Sequence, residues 1–371
     1  MSVVQPGGLI LVTGASGYIG GVTVQKILDA GYRVRGTVRN ASLHSWMPSH
    51  YGPKFSLIQV PDMGVPGAMD EAVKGCDGIA HIASPVSESY NPDPQATIPK
   101  GISCALSILE SAAKEPSVKS FVYTSSQAAA VMLEPGKKYH ITPASWNEES
   151  KVAWTMPITQ DFRRMLLNYM CGKTEAEQHC FKWVEEHKPH FTFNTVLPNV
   201  NFGIVARPDK TGFGSSSALL KALWCGSSLP ADLIPPEWYV DVEDTALLHL
   251  AALTQPDVSN ERILALASRY CYNEILEIFK KIAPDHKFLD SVDEVLDEGT
   301  VDNARSEELL KRMKAGAGWT SLEDAVKKWS VLMLQAEEAE KKGEAWPASP
   351  AEACALAPQN LAPVAARHWF G

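Results

Sequence analysis

Leu9-Ile10-Leu11-Val12-Thr13-Gly14-Ala15-Ser16-Gly17-Tyr18-Ile19-Gly20 is the stretch that decides the fold. The four aliphatic residues read as a buried strand, the glycines as a tight turn, and Tyr18 onward as the start of a helix. Such a turn aims the backbone of Gly14, Ser16, Gly17, Tyr18, Ile19 and Gly20, with the positive helix end, at one spot that suits a phosphate. Glycine permits the turn at 14, close backbone approach at 17 and helix-to-strand packing at 20. In a chain with 25 glycines, three at this spacing carry weight only through their context. A strand before, a helix after and a second strand following make the stretch a cradle for the pyrophosphate of a dinucleotide.

Outward from that turn, short β-branched runs alternate with longer amphipathic segments as far as about Val196, the pattern of a parallel sheet with crossover helices. Strands are expected at 9–13, 33–38, 55–60, 78–83, 120–124 and 191–196, with helices near 18–30, 66–75, 97–114 and 161–187. The fold class is therefore α/β, a doubly wound parallel sheet of the Rossmann type, with a smaller and mostly helical C-terminal part for substrate. The dinucleotide domain is drawn at 8–198, with 237–268 returning to it as a strand at 237–242 and a helix at 243–253. The substrate part comprises 199–236 and 269–345, and 346–371 is a Pro/Ala-rich tail. The segment 131–160, with three prolines and several aromatics, reads as a long loop above the strand ends, where loops are usually functional.

The end of the second strand discriminates between cofactors. An acidic residue there binds a ribose 2′-hydroxyl, whereas a basic one neutralises a 2′-phosphate. The run Arg33-Val34-Arg35-Gly36-Thr37-Val38-Arg39-Asn40 holds no carboxylate, so NADPH (NADP+) is expected, with Arg39 on the phosphate and Arg35 a solvated surface charge. Asp62, followed by Met63 at the end of the third strand, either meets the adenine amino group or caps a turn.

Tyr169-Met170-Cys171-Gly172-Lys173 lies in an expected helix, so Tyr169 and Lys173 share one face. Thr124-Ser125-Ser126 ends an expected strand on the sheet edge where the glycine turn sits. A phenol titrates near 10 and must fall toward neutrality to trade protons at working pH, which a nearby ammonium achieves. Lys173 supplies that charge, and Ser126 donates to the substrate oxygen as hydride reaches the carbonyl carbon. Cys171 reads as a small core residue. Trp154, Trp224 and Trp238 are candidate pocket walls.

The 371 residues are 45% hydrophobic and carry a formal charge of −9, which argues against general affinity for nucleic acid or an anionic membrane. A small-molecule carbonyl substrate is the expected partner, with the chain a monomer or homodimer. No secretory signal or membrane-length apolar run is present, and seven scattered cysteines lack a disulfide or zinc pattern, so a cytoplasmic location is expected. No histidine pairs with carboxylates at ligand spacing, so no metal is expected.

TGASGYIG, the TSS strand end and YMCGK resemble the extended short-chain dehydrogenase/reductase superfamily. GYRVRGTVRN, HIASP at 81–85 and TSS resemble more narrowly its dihydroflavonol reductase, cinnamoyl-CoA reductase and fungal aldehyde or methylglyoxal reductase group, over about residues 8–285. That resemblance implies Arg39 on the 2′-phosphate, Ser126, Tyr169 and Lys173 as catalytic residues, and Ala83, Ser84, Thr124 and Pro198 along the cofactor. It implies a structural role for Asp241 and Asp244. The chain departs from the group at Asn199 and Asn201, which either touch substrate or cap a turn. It also departs at Pro99-Lys100, which interrupts an expected helix, and at Gln127-Ala128-Ala129-Ala130, which argues against a polyphenol and for an aliphatic or polyketide-like carbonyl. NADPH-dependent reduction of a ketone or aldehyde is the leading expectation. The alternatives are a same-fold alcohol dehydrogenase or sugar-nucleotide epimerase, and a non-catalytic NADP-binding sensor.

Overall fold

The structure, a computed structural model, describes residues 3–85, 91–344 and 346; the tail expected from 346 onward lies, beyond Trp346, outside them. Its strands are β1 (Leu9–Val12), β2 (Arg33–Val38), β3 (Phe55–Gln59), β4 (Gly78–His81), β5 (Ser120–Thr124), β6 (His140–Ile141), β7 (Thr192–Pro198), β8 (Val200–Phe202), β9 (Trp238–Asp241), β10 (Arg262–Ala265), β11 (Ser268–Arg269) and β12 (Thr300–Val301). The helices that frame the site are α1 (Tyr18–Asp29), α2 (Asp70–Val73), α3 (Pro94–Lys114), α4 (Phe162–His187), α5 (Val242–Thr254), α6 (Tyr272–Ile282), α7 (Ala304–Met313) and α8 (Leu322–Lys341).

Seven parallel strands form one sheet in the order β10-β7-β5-β4-β1-β2-β3. The six strands expected up to about Val196 all belong to it. Ile10 and Val12 pack with Val24 and Ile27 of α1 and Leu248 of α5, whereas Leu11 packs with Ile108 and Leu109 of α3 and Ala176 of α4. Both faces are covered by helices, so β1 reads as an unbroken apolar run rather than an alternating one. Burial of each such side chain contributes about 1.5–3 kcal/mol.

A second core gathers Phe202, Leu220, Trp224, Tyr239, Phe279 and Trp329. Tyr18 and Val22 of α1 belong to it, while Val24 and Ile27 belong to the sheet core. The helix that follows the glycine turn thus joins the two parts. The strand order reverses between β1 and β4, and ligands bind outside the carboxyl ends at such a point in sheets of this type.

Three expectations are corrected. The strand at 238–241 pairs with β8 and β11 in a separate three-stranded sheet, and the strand that returns to the large sheet is β10, beside β7. A short apolar run does not specify its partner, since strand pairing is a long-range choice. The segment 131–160 is not loop alone, because β6 pairs with β12 and residues Glu148–Trp154 form a 3₁₀ stretch. Pro99 does not interrupt its helix, which starts earlier, at Pro94, capped by Asp93. Pro99 and Gln95 are both exposed, so the carbonyl that Pro99 cannot serve faces water.

A methyl group built on Gly20 would lie 2.1 Å from the Gly14 carbonyl oxygen. Gly20→Ala is therefore expected to lower the melting temperature, through overpacking that costs about 1–3 kcal/mol. It should also abolish the stabilisation that added NADPH confers, as measured by thermal unfolding with and without the dinucleotide.

Candidate active site

The turn after β1 is built to receive an anion. Gly14 has φ +65°, and a side chain there would come within 3.2 Å of Ala83 at the end of the neighbouring loop. Gly17 caps α1 without any side-chain bond to the first-turn N–H groups, and the first turn carries no acidic residue. Those donors therefore have no anionic competitor from the helix itself. Thr13 locks the two loops together: its hydroxyl oxygen accepts from Ile82 N at 3.0 Å and Ala83 N at 2.9 Å and lies 2.9 Å from His81 Nδ1. Burial pushes His81 down to about 3. The ring is neutral at physiological pH, and the Thr13 hydroxyl proton goes to Nδ1.

On the neighbouring strand ends, Ser126 is buried in extended backbone and its hydroxyl accepts from Ala128 N at 3.2 Å, opening a short 3₁₀ turn. Helix α4 packs on that turn and carries Tyr169 and, one turn later, Lys173. Tyr169 is half-buried against the cluster of Ala128, Met132, Leu133 and Ala153. Lys173 is 7% exposed, and its Nζ donates to the Thr124 carbonyl at 3.1 Å. Burial pulls Lys173 down from the usual lysine range to about 8, with Glu177 opposing. The Thr124 hydroxyl faces away, donating to His249 Nε2 at 2.7 Å, while His249 Nδ1 donates to Thr245 O. It is the Thr124 carbonyl that serves the site.

Behind Lys173 lies a group that the sequence reading missed. Glu177, fully buried, accepts from Ser125 Oγ and Thr195 Oγ1, each at 2.7 Å, and from Arg262 Nε at 2.9 Å and Nη2 at 3.0 Å. Its i+4 spacing from Lys173 was visible in the sequence, but its partners on β7 and β10 were not. On the other side of the strand ends, Asn199 donates to Glu237, and Gln127 to the Tyr139 hydroxyl at 3.3 Å. Glu237 Oε1, Gln127 Oε1 and Trp238 Nε1 are buried with no hydrogen-bond partner among the described residues. Burial lifts Glu237 to about 8, far above the usual carboxylate range.

The remaining expected residues fall into place unevenly. Arg39 is exposed just past the end of β2, with no hydrogen bond or ion pair among the described residues, and no carboxylate lies on β2. Ser84 and Ala83 follow β4, and Pro198 closes β7. The Tyr18 ring is committed to the second core and its hydroxyl to Gly203 O, so only its backbone is left for a phosphate. Asp62 pairs with Lys100 at 2.6 Å and accepts from Gly64 N, the turn-capping alternative. Met63 packs under the sheet with Val60 and Met69. Arg35 is not a solvated charge: it donates to Ala72 O and Lys74 O at the end of α2, whose carbonyls need donors. Asn201 is tied to Asn199 O and Thr245. Asp241 and Asp244 pair with Lys328 and Lys314. Cys171 is buried in the core. Trp224 lies wholly inside the second core and is no pocket wall.

The model of the NAD dependent epimerase/dehydratase family matches residues 10–267. The chain belongs to that family. Within it, the chain is an oxidoreductase of the extended short-chain dehydrogenase/reductase kind. It is 39% identical over 334 residues to aldehyde reductase 2 of Sporidiobolus salmonicolor, covering 88% of this chain and 96% of that one. It is 36% identical over 335 residues to a ketoreductase of Penicillium rubens, covering 86% and 95%. The fold is similar to that of yeast methylglyoxal/isovaleraldehyde reductase solved with NADPH, with TM-score 0.74, 23% identity, and 91% and 99% of the two chains covered.

Lys173 sets a pH-dependent cost on the fold of this family member. Its folded value, about 8, lies below the unfolded lysine range. The stability it can contribute is therefore present only above the unfolded value, near 10.5, and is lost as pH falls toward 8. Lys173→Met should stabilise the cofactor-free protein at pH 7 by on the order of 1–3 kcal/mol after the lost bond to Thr124 is subtracted, and so raise its melting temperature. The advantage should shrink between pH 8 and 10, which thermal unfolding across that range checks.

Proposed function

We propose that the enzyme reduces an aldehyde or ketone to an alcohol with NADPH, using Ser126, Tyr169 and Lys173. The observation that carries this reading is Lys173, buried against the Thr124 carbonyl one helical turn from Tyr169, with Ser126 on the same strand ends as the glycine turn. The residues fit the dinucleotide: uncapped N–H groups at α1 suit its pyrophosphate, and the exposed Arg39 suits a 2′-phosphate. Bound NADPH supplies the hydride. The Lys173 ammonium makes the Tyr169 phenol a better acid and would help hold the nicotinamide ribose, Ser126 donates to the carbonyl oxygen, and Tyr169 delivers the proton that completes the alcohol. The names of the aldehyde reductase and ketoreductase relatives support the same class of reaction. An epimerase is disfavoured because it usually needs an acidic residue at the end of β2. A non-catalytic sensor is disfavoured because Tyr169 and Lys173 are both kept.

Purified protein should oxidise NADPH in the presence of a carbonyl panel and bind NADPH at least about tenfold tighter than NADH, a difference that Arg39→Ala should largely erase. Tyr169→Phe should lose about 10²–10⁴-fold in turnover while still quenching NADPH fluorescence. Equal affinity for the two dinucleotides would overturn the role given to Arg39, and turnover retained by Tyr169→Phe would overturn the role given to the phenol.

A further inference from the structure

We propose that Glu177 is a positioning residue of the proton-transfer set, holding the Ser125-Ser126 strand end in place and serving as the buried counter-charge that keeps Lys173 an ammonium. The inference rests on the roles proposed above for Ser126, Tyr169 and Lys173. Its geometry is saturated: both carboxylate oxygens of Glu177 accept two hydrogen bonds, Oε1 from Thr195 and Arg262 Nε, Oε2 from Ser125 and Arg262 Nη2. One side chain on α4 thereby fixes β5, β7 and β10 relative to the helix that carries Tyr169 and Lys173. Arg262 extends the arrangement, since its Nη1 donates to Pro143 O at 2.9 Å and to Ser145 O, and its guanidinium lies 3.7 Å from the ring centre of Trp146. The segment 131–160 is thus anchored to the same carboxylate.

A buried ion pair is weak evidence for stability, because an apolar pair of similar volume often serves the fold as well. Here its placement points to the neighbouring amine. The titratable groups around Lys173 are Tyr123 of β5, its ring centre 5.5 Å from Nζ, His81 of β4, Cys180 and Tyr169 on its own helix, and Cys104 of α3, which faces His81 and Tyr123. Burial keeps His81 neutral and pushes the Cys180 thiol and the Tyr123 phenol up. Among these described neighbours, Glu177 is the carboxylate, and Arg262 lies behind it. Removing the Glu177 charge leaves Lys173 facing burial and an unpaired Arg262, and both disfavour the ammonium.

The test is the pH profile of carbonyl reduction in Glu177→Gln. The alkaline limb of kcat, set in the parent by loss of the Lys173 proton, should move to lower pH by at least about one unit. The pH dependence of NADPH binding, followed by fluorescence without substrate, should move the same way. Because Glu177→Gln strands a buried arginine and can fail to fold, the double variant Glu177→Gln/Arg262→Met removes the counter-charge without leaving an unpaired one, and its alkaline limb should move the same way by a smaller amount. A folded variant that loses rate while both limbs stay within about 0.2 unit of the parent means a structural role only and overturns the proposal. A parent enzyme that oxidises no NADPH with any carbonyl overturns the underlying reading instead, and the two failures are distinguished by that control.

Discussion

The reversal of strand order between β1 and β4 is the constraint on which the site depends. Parallel strands leave their carboxyl ends on one edge, and at the reversal the loops on either side diverge and leave a crevice. Here the loops after β1 and β4 are tied by one hydroxyl, that of Thr13, which accepts from two backbone N–H groups of the second loop. Gly14 can approach Ala83 closely only because it lacks a side chain. That tie fixes the loop after β4 against the glycine turn, while strand pairing through β4 and β5 carries the Ser126 end alongside it.

Four buried ionisable groups close to the sheet are handled in three ways. His81 and His249 are kept neutral by burial, each accepting a threonine proton, so they orient Thr13 and Thr124 without adding charge. Lys173 remains basic enough to be charged at neutral pH although burial opposes it. Glu177 stays fully hydrogen-bonded against Arg262. An interior that holds a buried amine against desolvation has given up some stability for chemistry, as sites that tune a proton donor generally must.

Much of this was legible in the chain. LILVTGASGYIG announced strand, turn and helix because buried strands and glycine turns are local, and the large sheet followed from repetition of the same pattern. The Tyr169–Lys173 pair was legible because helical spacing alone puts two residues on one face. Arg35 was misread because its acceptors, the end carbonyls of α2, lie about forty residues away in the chain. The strand at 238–241 was assigned to the wrong sheet for a related reason: its register is set by β8 and β11, which no local period reveals.

The sequence by itself determined the dinucleotide cradle, the doubly wound class and the basic end of β2, since each is written in contiguous residues obeying local rules. Only the tertiary structure decided what surrounds Lys173. The carboxylate of Glu177, the guanidinium of Arg262 and the carbonyl of Thr124 come from segments separated by up to 138 residues. Desolvation and charge act through space rather than along the chain, so the proton affinity of a buried amine emerges only when those segments are packed together.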